Sequence, residues 1–363
     1  MKVLIAVSGT GGHIYPGLAI ADAAAKNNDK VILVGNKGML TQNIIMEKGY
    51  ELFTIPMTGW QGRSIGALIK ALVMMIISFF KSLKILKNNN PDVVLGMGGY
   101  ISIPVILAAY FLRKTVILHE QNCYPGLANR VLAKFAKTIA VGFSDSKKYF
   151  TKRNVFVTGI PVRSQFYSPD NQKSRTVLGI KSDKKIALVY GGSQGAHRLN
   201  ALLLEAIKIS NELRDNIYFI HITGNNDFEW ISKEYKKLNS FAGVYKYLPD
   251  IYNAFACCDF LICRSGASTC FEILVSGKPA LVVPFPYATD NHQLYNAQYL
   301  RSKGIAIVSE EKELTAEKLA ENLTELIHNK KYIINAQNVK NEFEKIRPEK
   351  KVYDILKNSG SKI

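Results

Sequence analysis

Apolar residues in this chain come in short runs, and each run stops at a turn of glycine and small polar residues. Val3–Val7 is the first run, and SGTGGHIYPG follows it at 8–17. The run predicts a strand, and Ala19–Lys26, with Pro16 near the first turn, predicts the helix after it. Val31–Val34, Val93–Leu95, Thr115–Leu118, Thr138–Val141 and Val155–Thr158 predict further strands, with a second glycine turn, GMGGY, at 96–100. The cycle then restarts. Lys185–Tyr190 predicts a strand, GGSQGAH at 191–197 a glycine turn, and Leu199–Ile209 a helix. Later runs at Phe260–Ile262 and Ala280–Val283 end at CRSGASTCFE (263–272) and PFPYATDNHQLYNA (284–297). Two such starts predict an α/β chain with two doubly wound domains in tandem. The prolines and weak periodicity of 159–175 place the linker there. The expected division is 1–162 and 163–345, with 346–363 a C-terminal helix that could cross back to the first domain.

Ser64–Lys87 (SIGALIKALVMMIISFFKSLKILK) is a different pattern. Lysines at 70, 81, 84 and 87 interrupt it, and its longest apolar run falls short of the ~20 residues a spanning helix needs. Two readings fit the segment: a core helix covered by its own sheet, or an interfacial helix for an anionic bilayer.

Charge adds to this picture. The net charge is +18, and residues 1–162 hold 19 of the 47 Lys and Arg but only 7 of the 29 acids. An anionic partner is implied: a phosphorylated substrate, an anionic membrane or nucleic acid. The excess is mostly lysine, with no arginine-rich groove and no RNA- or DNA-binding signature, so no nucleic acid is expected. The five cysteines form no C-x-x-C pair and predict reduced thiols in a cytosol. The N-terminal apolar run is too short for a signal-peptide core, so no leader is expected.

The chemistry sits in the turns. A glycine-rich turn between strand and helix lets backbone approach a ligand and aims N–H groups at it, and the helix N-terminus adds positive potential, which suits phosphate. Two such turns suit a nucleotide diphosphate sugar. Dinucleotide binding fits poorly, because the G-x-G-x-x-G fingerprint would need glycine at Ile14 and the acid at the end of the second strand is missing. No P-loop, D-x-D or paired histidine at metal spacing occurs, so neither a cofactor nor a bound metal is expected. Glu272, in the helix after the 263–266 turn, can accept two hydroxyl protons, as from a ribose diol. Asp290, Asn291, His292 and Gln293 form a polar cluster that can read sugar hydroxyls or cap the next helix.

Seven motifs in order then carry a resemblance: SGTGGHIYPGLA (8–19), GMGGYISIP (96–104), HEQNCYPGLANR (119–130), TGIPVR (158–163), GGSQGAHRLN (191–200), RSGASTCFE (264–272) and PFPYATDNHQLYNA (284–297). Together they resemble the MurG family of peptidoglycan synthesis. That resemblance implies a GT-B glycosyltransferase, two Rossmann-like domains with a cleft between them. It implies UDP-N-acetylglucosamine as donor, held mainly by the C-terminal domain, and undecaprenyl-pyrophosphoryl-muramyl-pentapeptide as acceptor. The protein would work peripherally on the cytoplasmic side of the cell membrane, beside other wall-synthesis proteins. This tilts Ser64–Lys87 towards the interfacial reading.

By the same resemblance, Thr10, Gly11 and Gly12 lie by the donor sugar and diphosphate, joined by Asn122 and by Arg163 as a cation for phosphate. Ser193 binds the diphosphate, Leu248 offers its backbone to uracil, and Ala267, Ser268, Thr269, Cys270, Phe271 and Glu272 take phosphate and ribose. Gln293 takes sugar hydroxyls. The reaction would be a single inverting displacement, with His13 the leading candidate for the base that deprotonates the acceptor 4-hydroxyl, or else a residue that orients substrate or loop, and His119 and Glu120 in reserve as base or as support behind it. Another UDP-sugar transferase or a UDP-N-acetylglucosamine 2-epimerase would share the architecture.

Overall fold

The computed structural model describes residues 1–9, 11–36, 45–46, 48–57, 65–150, 154–192 and 195–360. Cα proximity divides the chain into two units. One is Met1–Arg163 together with Ile346–Ile363, and the other is Ser164–Lys345.

The first unit is built on a seven-stranded sheet: β1 (Lys2–Ala6), β2 (Lys30–Asn36), β3 (Glu51–Ile55), β4 (Val93–Gly96), β5 (Thr115–Glu120), β6 (Thr138–Val141) and β7 (Asn154–Val157). Its order is β3-β2-β1-β4-β5-β6-β7, and every neighbouring pair is parallel. Helices cover both faces, which is why β1, β4 and β6 read as unbroken apolar runs rather than alternating ones. Val3, Ile5 and Leu95 look into one apolar layer, and Leu4, Ala6 and Val94 into the other. The second unit repeats the plan with β8 (Lys185–Tyr190), β9 (Ile217–Ile222), β10 (Phe241–Tyr245), β11 (Phe260–Cys263), β12 (Ala280–Val282) and β13 (Ala306–Val308). Its order is β10-β9-β8-β11-β12-β13, again all parallel. Both units are Rossmann-like.

Strand order reverses between β1 and β4 in the first sheet, and between β8 and β11 in the second. At such a point neighbouring crossovers run to opposite faces and leave a crevice at the carboxyl ends of the strands. SGTGG follows β1 and GMGGY follows β4. The turn at 191–195 follows β8, and Arg264–Gly266 follows β11. The four motifs are therefore two pairs, each set at a switch point.

The first helix begins at Gly11, inside the glycine turn, and runs to Ala25. The apolar pattern predicts its body and not its first two turns, because glycine and proline are poor helix interiors. His13 is thereby a first-turn residue.

The C-terminal helix Pro348–Gly360 packs on the first sheet through Val352, Tyr353 and Leu356. The Tyr353 hydroxyl donates to Asp29 Oδ2 at 2.8 Å, and the N-terminal ammonium of Met1 donates to Asp29 Oδ1 at 2.7 Å. The linker segment carries local structure of its own, a 3-10 turn at Ser164–Tyr167 and a helix at Asn171–Val177 capped by Asp170.

The helix Ile65–Asn89 is buried along one side and exposed along another. Ala71, Ser78, Ser82 and Leu86 are buried, and Ser78 and Ser82 satisfy their hydroxyls on Pro56 and Ser78 carbonyls. Ile69, Leu72, Val73, Ile76, Ile77 and Phe80 are exposed, Phe80 at 63%. Their spacing of three and four residues makes them one solvent-facing stripe. Lys70, Lys81, Lys84 and Lys87 are exposed along the same helix. No helix among the described residues is long and apolar enough to cross a membrane.

Candidate active site

In the first unit the two turns at the switch point interlock. Gly98 and Gly99 both lie in the left-handed region, with φ of 87° and 70°. A Cβ on Gly99 would stand 2.1 Å from Ser8 Oγ, so only glycine lets these turns meet. Ser8 and Ser102 both donate to the Gly98 carbonyl, at 3.1 and 2.8 Å. His13 sits against this turn, its Nε2 3.4 Å from where a Gly98 Cβ would lie. It is half-buried, and the glycine beside it, Gly12, is exposed.

The HEQN segment closes β5. His119 is fully buried, and both ring nitrogens are engaged. Nε2 lies 3.1 Å from the Gly159 carbonyl and Nδ1 lies 3.0 Å from Gln121 Nε2. The carbonyl can only accept, so Nε2 carries the proton and Nδ1 accepts from the amide. Burial pulls the His119 pKa down to about 4, so the ring is neutral. Glu120 is buried too, and four N–H groups converge on it. Oε1 accepts from Asn122 N at 2.8 Å and Asn122 Nδ2 at 3.3 Å. Oε2 accepts from Asn129 Nδ2 at 2.9 Å and Gly126 N at 3.1 Å. Burial raises the carboxyl above its usual range, and the four donors pull the other way. Neither side chain has an open face for a substrate hydroxyl. Both hold the loop that carries Asn122, whose carbonyl also accepts from Ser146 Oγ at 2.7 Å. Asn129, which donates also to the His119 carbonyl at 3.1 Å, is a key member of this clamp. In sequence it reads only as one polar residue in a short helix.

Arg163 is the last residue of this unit's first segment, and its guanidinium lies over the Tyr15 ring, 4.7 Å from the centroid. Gly11 opens the first helix, and Thr10 lies outside the described residues.

In the second unit the helix Ala267–Ser276 follows β11 directly. Gly266 is its N-cap and, without a side chain, caps none of the first-turn amides, and the helix starts at the switch point. Ala267, Ser268, Thr269 and Glu272 are partly exposed. Cys270 and Phe271 are fully buried, Phe271 against Phe343, so any ligand contact from these two is through backbone. Leu248 is half-buried in the loop after β10. Ser193 lies outside the described residues.

Gln293 is the second residue of the helix His292–Ser302 and is fastened from both ends. Its Oε1 accepts from Phe285 N at 3.0 Å, and its carbonyl accepts from Ser265 Oγ at 2.7 Å. That bond fixes the amide so that Nε2 is the end turned away from Phe285. Arg264 donates to the Val283 and Pro284 carbonyls at 3.2 and 3.1 Å and pairs with Glu311, which ties the 284–293 loop to the end of β11.

Comparison with known proteins agrees with this geometry. The family model described as glycosyltransferase family 28 N-terminal domain matches residues 3–141, and that of the C-terminal domain matches 186–357. A relative from Thermodesulfovibrio yellowstonii is 35% identical over 330 residues, 90% of each chain. One from Thermoanaerobacter sp. is 35% identical over 364 residues, 98% of this chain and 99% of its own. Both are named UDP-N-acetylglucosamine–N-acetylmuramyl-(pentapeptide) pyrophosphoryl-undecaprenol N-acetylglucosamine transferase. Among solved structures, Acinetobacter baumannii MurG superposes with a TM-score of 0.75 at 27% identity, covering 98% of this chain and 99% of that one. The glycosyltransferase of kitacinnamycin superposes at 0.76 with 14% identity over 99% and 98% of the chains, a likeness of fold alone. With identity at this level along nearly its whole length, the chain belongs to the MurG family of glycosyltransferases.

Proposed function

We propose that this enzyme transfers N-acetylglucosamine from UDP-N-acetylglucosamine to the 4-hydroxyl of undecaprenyl-pyrophosphoryl-muramyl-pentapeptide, a step of peptidoglycan synthesis. The observation that carries this reading is the glycine turns paired at each sheet's switch point, on a chain about 35% identical to transferases of that name.

The reaction is an inverting displacement at the donor's anomeric carbon. The acceptor hydroxyl must lose a proton, and the leaving UDP must be stabilised. His13 is the base. It is the half-buried imidazole at the first turn, whereas His119 and Glu120 are enclosed and fully bonded and act as supports for Asn122. The leaving diphosphate is met by Arg163, by the turn at 191–195 and by the amides that open the helix at Ala267. Glu272 accepts from the ribose diol, Leu248 offers its backbone to uracil, and Gln293 donates through Nε2 to sugar hydroxyls.

The lipid-linked acceptor gives the exposed stripe of Ile65–Asn89 its use. Ile69, Leu72, Ile76 and Phe80 enter the edge of an anionic bilayer, and the flanking lysines meet headgroups. Tyr110 and Phe111 extend the patch, with Phe111 6.4 Å from Phe79.

The test is transfer from radiolabelled UDP-N-acetylglucosamine to a short-chain lipid-linked muramyl-pentapeptide in the presence of EDTA, comparing wild type with His13→Ala. The wild type turns over. The variant binds UDP as before and loses kcat by ~10²–10⁴, the span that general-base catalysis supplies. Turnover that survives the substitution refutes His13 as base. UDP binding by the wild type without transfer refutes the acceptor.

A further inference from the structure

Beside Gly195 and the start of the helix His197–Ile209 lies a chain of side-chain hydrogen bonds that the transfer chemistry does not itself require. Asp227, in the loop after β9, is buried and holds two residues of the helix His197–Ile209. Its Oδ1 lies 2.8 Å from His197 Nδ1, and its Oδ2 accepts from Asn200 Nδ2 at 2.8 Å. Asn200 Nδ2 also donates to the Thr223 carbonyl at 3.1 Å. Asn200 Oδ1 is 3.0 Å from His221 Nε2, and His221 Nδ1 is 3.1 Å from the Tyr235 hydroxyl.

The proton arrangement has one consistent solution. Asn200 spends its amide hydrogens on Asp227 and Thr223, so its Oδ1 must accept from His221 Nε2–H. His221 Nδ1 then accepts from Tyr235. Burial keeps this ring neutral, with its pKa pulled down to about 3. Every bond thus points from Tyr235 toward Asp227, and the carboxylate ends the chain by accepting from Asn200 and His197. This network clamps the first turn of the helix, at His197 and Asn200, to the segment 223–227. That segment in turn abuts the glycine turn. Gly195 has φ of 79°, and a Cβ there would lie 2.1 Å from the Thr223 carbonyl oxygen.

We infer that Asp227 is a positioning residue for the donor: through Asn200 and His197 it holds the start of the helix His197–Ile209, and with it Gly195, the end of the glycine turn, in place for the diphosphate of the UDP-sugar. The inference rests on the reading that this turn binds that diphosphate. A backbone cradle binds phosphate well only if its N–H groups are already aimed, so loosening its support weakens the donor and leaves the acceptor alone.

The experiment measures UDP binding by calorimetry, and kcat and both KM values by transfer, for the full chain. Asp227→Ala leaves the Asn200 amide without its acceptor, and the Kd for UDP and the KM for UDP-N-acetylglucosamine rise about tenfold, equivalent to ~1.4 kcal/mol. The acceptor KM and kcat stay within about twofold. Asp227→Asn restores donor binding, since its carbonyl accepts from Asn200 and its amide donates to the other tautomer of His197. If Asp227→Ala does not fold, His197→Ala, whose side chain is 75% exposed, gives the same split at smaller size. Donor affinity unchanged in these variants overturns the inference, as does a loss shared equally by acceptor KM and kcat. Gly192→Ala separates the two levels, because φ of 92° strains any side chain there. If it weakens UDP while Asp227→Ala does not, the inference alone falls. If Gly192→Ala binds UDP as tightly as wild type, the donor role of the turn falls and the inference with it.

Discussion

Replacing Glu120 by glutamine separates a buried support from a catalytic base. The substitution keeps size and shape and changes one acceptor oxygen into an NH₂. In the wild type each oxygen takes two donors, Asn122 N and Nδ2 on Oε1, and Gly126 N and Asn129 Nδ2 on Oε2. Whichever way the new amide turns, its NH₂ faces two N–H groups in a pocket closed to water. Each buried donor that loses its acceptor costs roughly 1–3 kcal/mol, so Glu120→Gln, which strands two, loses roughly 2–6 kcal/mol of stability in the first unit. With a urea m-value of ~2 kcal/mol/M, the midpoint of that unit's transition falls by roughly 1–3 M. Activity falls too, because Asn122 is no longer held, and the loss appears in KM as well as in kcat. The assay pairs urea unfolding followed by intrinsic fluorescence with transfer kinetics. A base would behave oppositely, since removing it costs kcat and leaves the midpoint where it was. A Glu120→Gln variant with wild-type midpoint and a collapsed kcat refutes the clamp and restores Glu120 to the chemistry.

Buried neutral histidines make stability fall in acid. The folded pKa of His119, about 4, lies below its ordinary value of 6.5, so the unfolded chain binds the proton first. The stabilisation is complete above about pH 6.5 and is lost as pH falls towards 4, by up to roughly 3 kcal/mol, with His221 adding in the second unit. Urea midpoints from pH 7 to 4 read this, and flat midpoints over that range refute it. Gly99→Ala forces a Cβ onto Ser8 Oγ at a positive φ, and it costs about 2 kcal/mol in urea unfolding with a loss of turnover; wild-type values in both refute the interlock. Phe80→Asp with Lys81→Glu abolishes cosedimentation with anionic vesicles while UDP binding is kept; undiminished vesicle binding refutes the membrane role of the stripe.

Much of this molecule is written locally. Thr138–Val141 and Lys185–Tyr190 are strands with the bounds their apolar runs predict, and the glycine turns fall at strand ends, because strand propensity and glycine's freedom act over a few residues. β3, β9, β10 and β13 are not among the strands expected from the sequence. Glu51–Ile55 and Phe241–Tyr245 are only partly buried edge strands, with weak apolar runs. The seven ordered motifs were enough to name the family, and the relatives agree.

What the sequence could not supply is proximity across the sheet and the direction each side chain faces. Ser8 meets Gly98, ninety residues on, because β1 and β4 pair in parallel, and parallel pairing needs a crossover whose length the local pattern does not reveal. Pairing of β5 with β6 likewise encloses His119 and Glu120, the reserve candidates, and in the second sheet pairing of β8 with β9 brings Asp227 to Asn200. In Ile65–Asn89 the sequence held apolar residues all round, and only the neighbouring elements decided which stripe was buried and which met solvent. Local propensity thus fixed the elements and the residue types of the site. Long-range packing, which no short window of sequence contains, decided which of them stand together and which are open to a substrate.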